Sequence, residues 1–233
     1  MQSATLASDP TSSGAPDTTT PEKRGISSGL KVAKNKDGRH ADIPEGVQIL
    51  EPGYKAREDI SSLRVLIVDD NRFHRSLIRN TLMSQTINSQ WEAEGVDEAE
   101  AILAGDAIDL IILDNNMPGE KGITFTQRIR QGKTKANRFT PIIMASAYGD
   151  EKVISAARNA GVHEYVLKPF NVATLLKRVV LTFKIPRDFI IAPGYVGPDR
   201  RWREKLDQDG NQTSAREASL SPGLCKPEVL VYD

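Results

Sequence analysis

Five polar residues in this 233-residue chain are of the types that phosphoryl transfer uses: Asp69, Asp70, Asp114, Ser146 and Lys168. Each stands at the end of an apolar run, in VLIVDDN (65–71), LIILD (110–114), IIMAS (142–146) and YVLKPF (165–170). Three carboxylates gathered in one place repel one another. A hard divalent cation relieves that repulsion, and a set of oxygen donors without sulfur or imidazole suits Mg2+. A lysine is a compact charge for a phosphoryl oxygen, and a serine hydroxyl can donate to another. Cation, ammonium and hydroxyl together would offset the charge on three phosphoryl oxygens, which is most of what phosphoryl transfer asks of a protein. Asp114 can then act as a carboxylate nucleophile, giving an aspartyl phosphate. Taken singly, each residue has an ordinary explanation. A strand-end aspartate caps a helix, a Lys-Pro makes a turn, and a serine after a strand caps locally. It is their joint placement that points to chemistry.

The elements that would gather them read as follows. Residues 63–68 are a β-branched, nearly unbroken apolar run, a strand buried on both faces. Phe73, Leu77, Ile78, Thr81 and Leu82 recur at helical spacing. A short strand over 89–94 and a short helix over 97–103 follow. Buried strands are predicted over 108–113 and 141–145, each followed by a helix, over 123–129 and 151–159. Gly161 stands where a helix takes its left-handed stop. A strand over 164–167 and a helix over 173–183 complete five β-α repeats in about 120 residues. Such alternation predicts an α/β fold, a doubly wound parallel sheet covered on both faces. Ligands in such sheets bind at the carboxyl ends of the strands, where all five polar residues fall.

Four separated motifs, VLIVDDN, LIILDNNMPGEKG, IIMASA and YVLKPF, resemble those of response-regulator receiver domains of two-component signalling, CheY-like in size. The resemblance spans residues 62–184. It implies a five-stranded flavodoxin/CheY-like sheet of order 2-1-3-4-5. It further implies that Asp114 receives a phosphoryl group from a histidine kinase or a histidine phosphotransfer protein. Asp70, Asp114 and the Asn116 carbonyl would bind Mg2+ directly, and Asp69 through a metal-bound water. Lys168 would pair with the phosphoryl group, and Pro169, typically in cis linkage, would shape its turn. Ser146 and Tyr165 occupy the switch positions. In the family, phosphorylation draws the hydroxyl inward, the aromatic ring follows, and the surface of the fourth helix, fifth strand and fifth helix changes its partner affinity.

The rest of the chain is less specific. With 31 basic and 31 acidic residues it has no global pull toward nucleic acid or anionic membrane. No run of about 18 apolar residues predicts a membrane span. The N-terminus lacks a secretory pattern, and the lone Cys225 has no partner for a disulfide, so a cytoplasmic protein is expected. Residues 1–29 hold 17 Ser, Thr, Pro or Gly and read as disordered. Residues 1–60 are thus expected to be a disordered or loosely packed extension, and 185–233 a mostly irregular tail. No helix-turn-helix pattern appears in that tail, so DNA binding is not expected. The expected function is a single-domain response regulator with a protein-binding output, not a turnover enzyme. The alternatives are a phosphorylation-independent scaffold and a cyclic-dinucleotide adaptor using the arginine-rich RRWREK (200–205). An Mg2+-dependent phosphohydrolase is the weakest of them.

Overall fold

The computed structural model describes residues 46–200. The expectations for the first 45 residues, and for Arg201–Lys205 and Cys225, lie outside them. Among the described residues no helix is long and apolar enough to cross a membrane.

The chain runs β1 (Gln48–Leu50), β2 (Val65–Val68), α1 (Arg72–Met83), β3 (Gln90–Ala93), α2 (Val96–Gly105), β4 (Leu110–Asp114), α3 (Gly122–Arg130), β5 (Ile142–Ser146), α4 (Glu151–Ala160), β6 (Glu164–Leu167), α5 (Val172–Lys184), β7 (Phe189–Ala192) and β8 (Tyr195–Pro198). Five strands form one parallel sheet of order β3-β2-β4-β5-β6. This is the predicted doubly wound arrangement. Alternate residues of each strand serve opposite faces. Leu66, Val68, Ile111, Leu113 and Met144 pack with Ala99, Leu103, Phe125, Ile129 and Ala157 of α2, α3 and α4. Val65, Ile67, Leu110, Ile112 and Ile143 pack with Ile78, Leu82, Leu175, Val179 and Phe183 of α1 and α5. Each fully buried Val, Leu or Ile contributes about 1.5–3 kcal/mol, so two-sided burial explains why these strands read as continuous apolar runs. Asn71 caps α1 by accepting from the Phe73 amide at 2.9 Å, and Asn171 caps α5 by accepting from the Thr174 amide at 2.8 Å. Gly161 ends α4 with φ +94°, the left-handed conformation its position predicts.

The flanking segments differ from expectation. Residues 48–50 and 189–198, predicted to be loose or irregular, form a three-stranded antiparallel sheet of order β1-β7-β8. Pro193 and Gly194 make the two-residue connection between β7 and β8, with Gly194 at φ +78°. A Pro-Gly pair between FIIA and YVGP is a turn signal. Strands of three and four residues are too short to show a period, and β1 finds its partner about 140 positions away.

This small sheet covers the pole of the main sheet opposite the carboxyl strand ends, over a buried polar cluster. The Arg130 guanidinium, 1% exposed, donates to the carbonyls of Gly161, Arg138 and Thr140 at 2.9, 2.7 and 2.9 Å and lies 5.4 Å from the Phe189 ring centroid. His163 Nδ1 accepts from the Ile142 amide at 3.3 Å and faces Arg130 Nη2 at 3.3 Å. Between two donors that nitrogen carries no proton, which leaves the hydrogen on Nε2. Burial, with Arg130 and Arg187 beside it, holds the His163 pKa well below the usual 6.5. The unfolded chain therefore binds a proton that the folded chain does not, in the window from about pH 6.5 down to the depressed folded value. Stability falls as pH drops through that window, and above it this group has no effect. We expect the melting temperature of the wild type to fall more steeply than that of His163→Gln between about pH 7 and pH 5. Parallel slopes would remove His163 from the account.

Candidate functional site

The site is assembled by register. Val68 of β2 lies beside Leu113 of β4, so Asp69 and Asp114, the next residue in each strand direction, emerge side by side. Asp114 pairs in register with Ala145 of β5, and Ser146 with Leu167 of β6, which places Ser146 and Lys168 at the same edge. Carboxylate oxygens of Asp69, Asp70 and Asp114 lie within 4.8 Å of one another. Asp69 and Asp114 are buried, at 1% and 5% exposure, and Asp70 is exposed. A hard cation could thus reach Asp70 from solvent while the two buried carboxylates wait behind it. The donors are all oxygens, which fits Mg2+.

Lys168 lies between the buried pair. Its Nζ donates to Asp69 Oδ2 at 2.6 Å and to Asp114 Oδ1 at 2.8 Å. With this ammonium between them, the two carboxylates are not left as uncompensated buried charges. The Lys168–Pro169 peptide is cis, and the Lys168 amide donates to the Ser146 carbonyl at 2.7 Å. The Asn116 amide donates to Asp114 Oδ2 at 2.8 Å, so the β4–α3 loop folds over the acidic pocket. Asn115, beneath it, accepts from the Ile123 amide at 3.1 Å and ties the loop to α3.

Ser146 is fully buried, and its Oγ accepts from the Tyr148 amide at 3.3 Å. The half-buried Tyr165 donates from its hydroxyl to the Tyr148 carbonyl at 2.6 Å. Its pKa is raised, chiefly by that burial. The β5–α4 loop is therefore held on one side by Ser146 and on the other by Tyr165. Asp69, Asp70, Asp114, Asn116, Ser146 and Lys168 fall at the carboxyl end of the sheet, whereas Tyr165 stands early in β6, opposite Met144, and reaches the β5–α4 loop through its hydroxyl. Of the arginine-rich tail, Arg200 alone is described. Its guanidinium lies 4.1 Å from the Tyr195 ring centroid and pairs with Asn159 of α4.

Two residues that sequence reasoning did not single out also belong here. His74 Nδ1 lies 3.1 Å from Lys168 Nζ and 3.4 Å from Asp69 Oδ1. Arg75 donates to the backbone carbonyl of Asp69 at 2.8 Å. Both stand in the first turns of α1, the helix that starts at the acidic residues, and that proximity was the available signal.

Comparison with known proteins gives one family. The response regulator receiver domain model matches residues 65–180. The chemotaxis protein CheY-3 of Vibrio cholerae serotype O1 is 32% identical over 123 residues, covering 53% of this chain and 93% of that protein. The transcriptional regulatory protein ResD of Bacillus subtilis is 36% identical over 189 residues, covering 76% of each. Among solved structures, Vibrio cholerae CheY4 aligns with 31% identity and a TM-score of 0.45, covering 49% of this chain and 93% of that one.

Proposed function

The chain belongs to the response regulator receiver family, and from that premise we propose that it accepts a phosphoryl group on Asp114 and signals through altered protein binding. The donor is a phosphohistidine on a histidine kinase or histidine phosphotransfer protein. We take 62–184 as the receiver unit, flanked by 1–60 and 185–233. One observation carries the reading: three carboxylates converge within 4.8 Å, with Lys168 Nζ bridging the two buried ones.

The residues divide the work. Asp69, Asp70, Asp114 and the Asn116 carbonyl would hold Mg2+, whose charge offsets that of the incoming phosphoryl oxygens. A carboxylate oxygen of Asp114 attacks phosphorus, the new O–P bond forms as the N–P bond breaks, and the electron pair returns to the imidazole nitrogen. Lys168 turns from Asp114 Oδ1 to a phosphoryl oxygen, and the Ser146 hydroxyl donates to another. Such a donation pulls Ser146 toward the pocket and away from the Tyr148 amide. The β5–α4 loop and Tyr165 must then readjust, because both hydrogen-bond through Tyr148. A change at Asp114 thereby reaches the surface around α4 and β6, where a partner would detect it. Water then attacks phosphorus, the Asp114 O–P bond breaks, inorganic phosphate leaves and the carboxylate is restored, so the protein is a switch and not a turnover catalyst.

The test is label transfer from a phosphohistidine donor in the presence of Mg2+. The expected result is one labelled phosphoryl group per wild-type chain and none on Asp114→Asn. Equal labelling of the two proteins would overturn the assignment of Asp114.

A further inference from the structure

Adjacent carboxylates at Asp69 and Asp70 pose a mechanical problem as well as an electrostatic one. The turn that carries them leaves a strand and enters a helix within three residues, so its backbone carbonyls need partners. They find one in Arg75. Arg75 is 8% exposed, and its guanidinium bonds the backbone of the turn and not its carboxylates. Nη1 donates to the carbonyls of Asp69 at 2.8 Å and Asp70 at 3.4 Å. Nε donates to Glu92 Oε2 at 3.2 Å and Nη2 to Glu94 Oε1 at 2.6 Å. Glu92 lies on the edge strand β3, and Glu94 follows its end. The planar fork of an arginine can make this set of bonds, which a lysine ammonium cannot reproduce.

We propose that Arg75 is a positioning residue of the acidic pocket, holding the Asp69–Asp70 backbone so that both carboxylates face a shared divalent cation, with Glu92 and Glu94 as its anchors. This rests on the proposed Mg2+ site. Two physical effects of Arg75 on a cation oppose each other. Its positive charge repels the cation, and its hydrogen bonds preorganise the ligands. Glu92 and Glu94 balance the charge at 3.2 and 2.6 Å, so the repulsion is largely cancelled. The positioning effect therefore dominates. Partners of this kind, bonded to metal ligands without touching the metal, typically change affinity about 10–100-fold.

The two effects give opposite signs, which makes the test decisive. Mg2+ is titrated calorimetrically into the full-length wild type, Arg75→Met, Arg75→Lys, Glu94→Gln and Arg130→Met. We expect Arg75→Met to weaken Mg2+ binding about tenfold, Arg75→Lys to recover part of that loss, and Glu94→Gln to lose less. Arg130→Met, at the opposite pole, lowers the melting temperature without changing the affinity of the folded protein. It thus separates loss of stability from loss of positioning. Should Arg75→Met fail to fold, Glu94→Gln and Arg75→Lys carry the test alone. Affinity unchanged or tightened in the Arg75 and Glu94 variants overturns the proposal and leaves the Mg2+ reading intact. Absence of Mg2+ binding by the wild type overturns both.

Discussion

Replacing Lys168 with alanine is expected to slow phosphorylation of the protein by acetyl phosphate by about 100-fold or more. The ammonium is 2.8 Å from the carboxylate that would attack, directly beside the place where the phosphoryl oxygens would arrive. Its loss removes a charge-assisted bond to a phosphoryl oxygen in a pocket where Asp69 and Asp114 are almost fully buried, and bonds in such a place gain strength from the low dielectric. A second consequence has the opposite dependence on metal. Without Lys168 the two carboxylates lose their counter-charge, and removing one partner of a buried ion pair costs about 3–5 kcal/mol. Mg2+ should restore much of it, so the variant should gain more melting temperature from added Mg2+ than the wild type does. Phosphorylation within twofold of wild type would contradict the role assigned to this residue.

Gly122→Ala should damage stability and site together. A Cβ on Gly122 would lie 2.3 Å from the Asp114 carbonyl oxygen and 3.0 Å from Asn115 Cα. Both neighbours are backbone, so neither can swing aside. The Gly122 amide also donates to the Asn115 carbonyl at 3.1 Å, which fixes the start of α3 against the end of β4. Relief requires moving α3 or displacing Asp114. Overpacking of this kind costs about 1–3 kcal/mol where side chains can yield and more where they cannot. We expect a loss of about 3 kcal/mol or more in denaturant unfolding, and slower phosphorylation in the fraction that remains folded. Gly105→Ala, where nothing lies within 4 Å of the added carbon, is the matched control and should be near neutral or stabilising. Equal stability of the two variants would show that the close approach at Gly122 relaxes at little cost.

The main sheet was legible because its strands are buried on both faces. VLIV, LIIL and IIMA can hardly be read as anything else, and the polar residue after each marks the strand's carboxyl end. The strand order was not legible from pattern. Periodicity says which residues face a core, not which strand lies beside which, and the order rested on a resemblance. Asp69, Asp70, Asp114, Ser146 and Lys168 could be found because type and position coincide. Arg75 and His74 offered only their nearness to the acidic pair, which does not single them out, since a basic residue in the first turns of a helix usually points to solvent. Only the fold reveals that Arg75 faces two carbonyls and His74 a lysine 94 positions away. Gly122 was hidden for a similar reason, because a close approach between backbones leaves no trace in composition. The β1–β7 pairing was not legible because it joins segments on either side of the domain and leaves no local signature, while the β7–β8 hairpin left only a Pro-Gly turn between strands too short to show a period.

The central claim is that the acidic pocket turns Asp114 into an acyl phosphate with the help of Mg2+. It is tested most directly by treating the full-length protein with acetyl phosphate, trapping with borohydride and locating the reduced residue by peptide mass mapping. Borohydride reduces an acyl phosphate to an alcohol and leaves a free carboxylate untouched. The account predicts reduction at position 114, dependent on Mg2+ and suppressed by a chelator. Reduction at a different residue, or no reduction at 114 when Mg2+ and phosphodonor are both present, would contradict it.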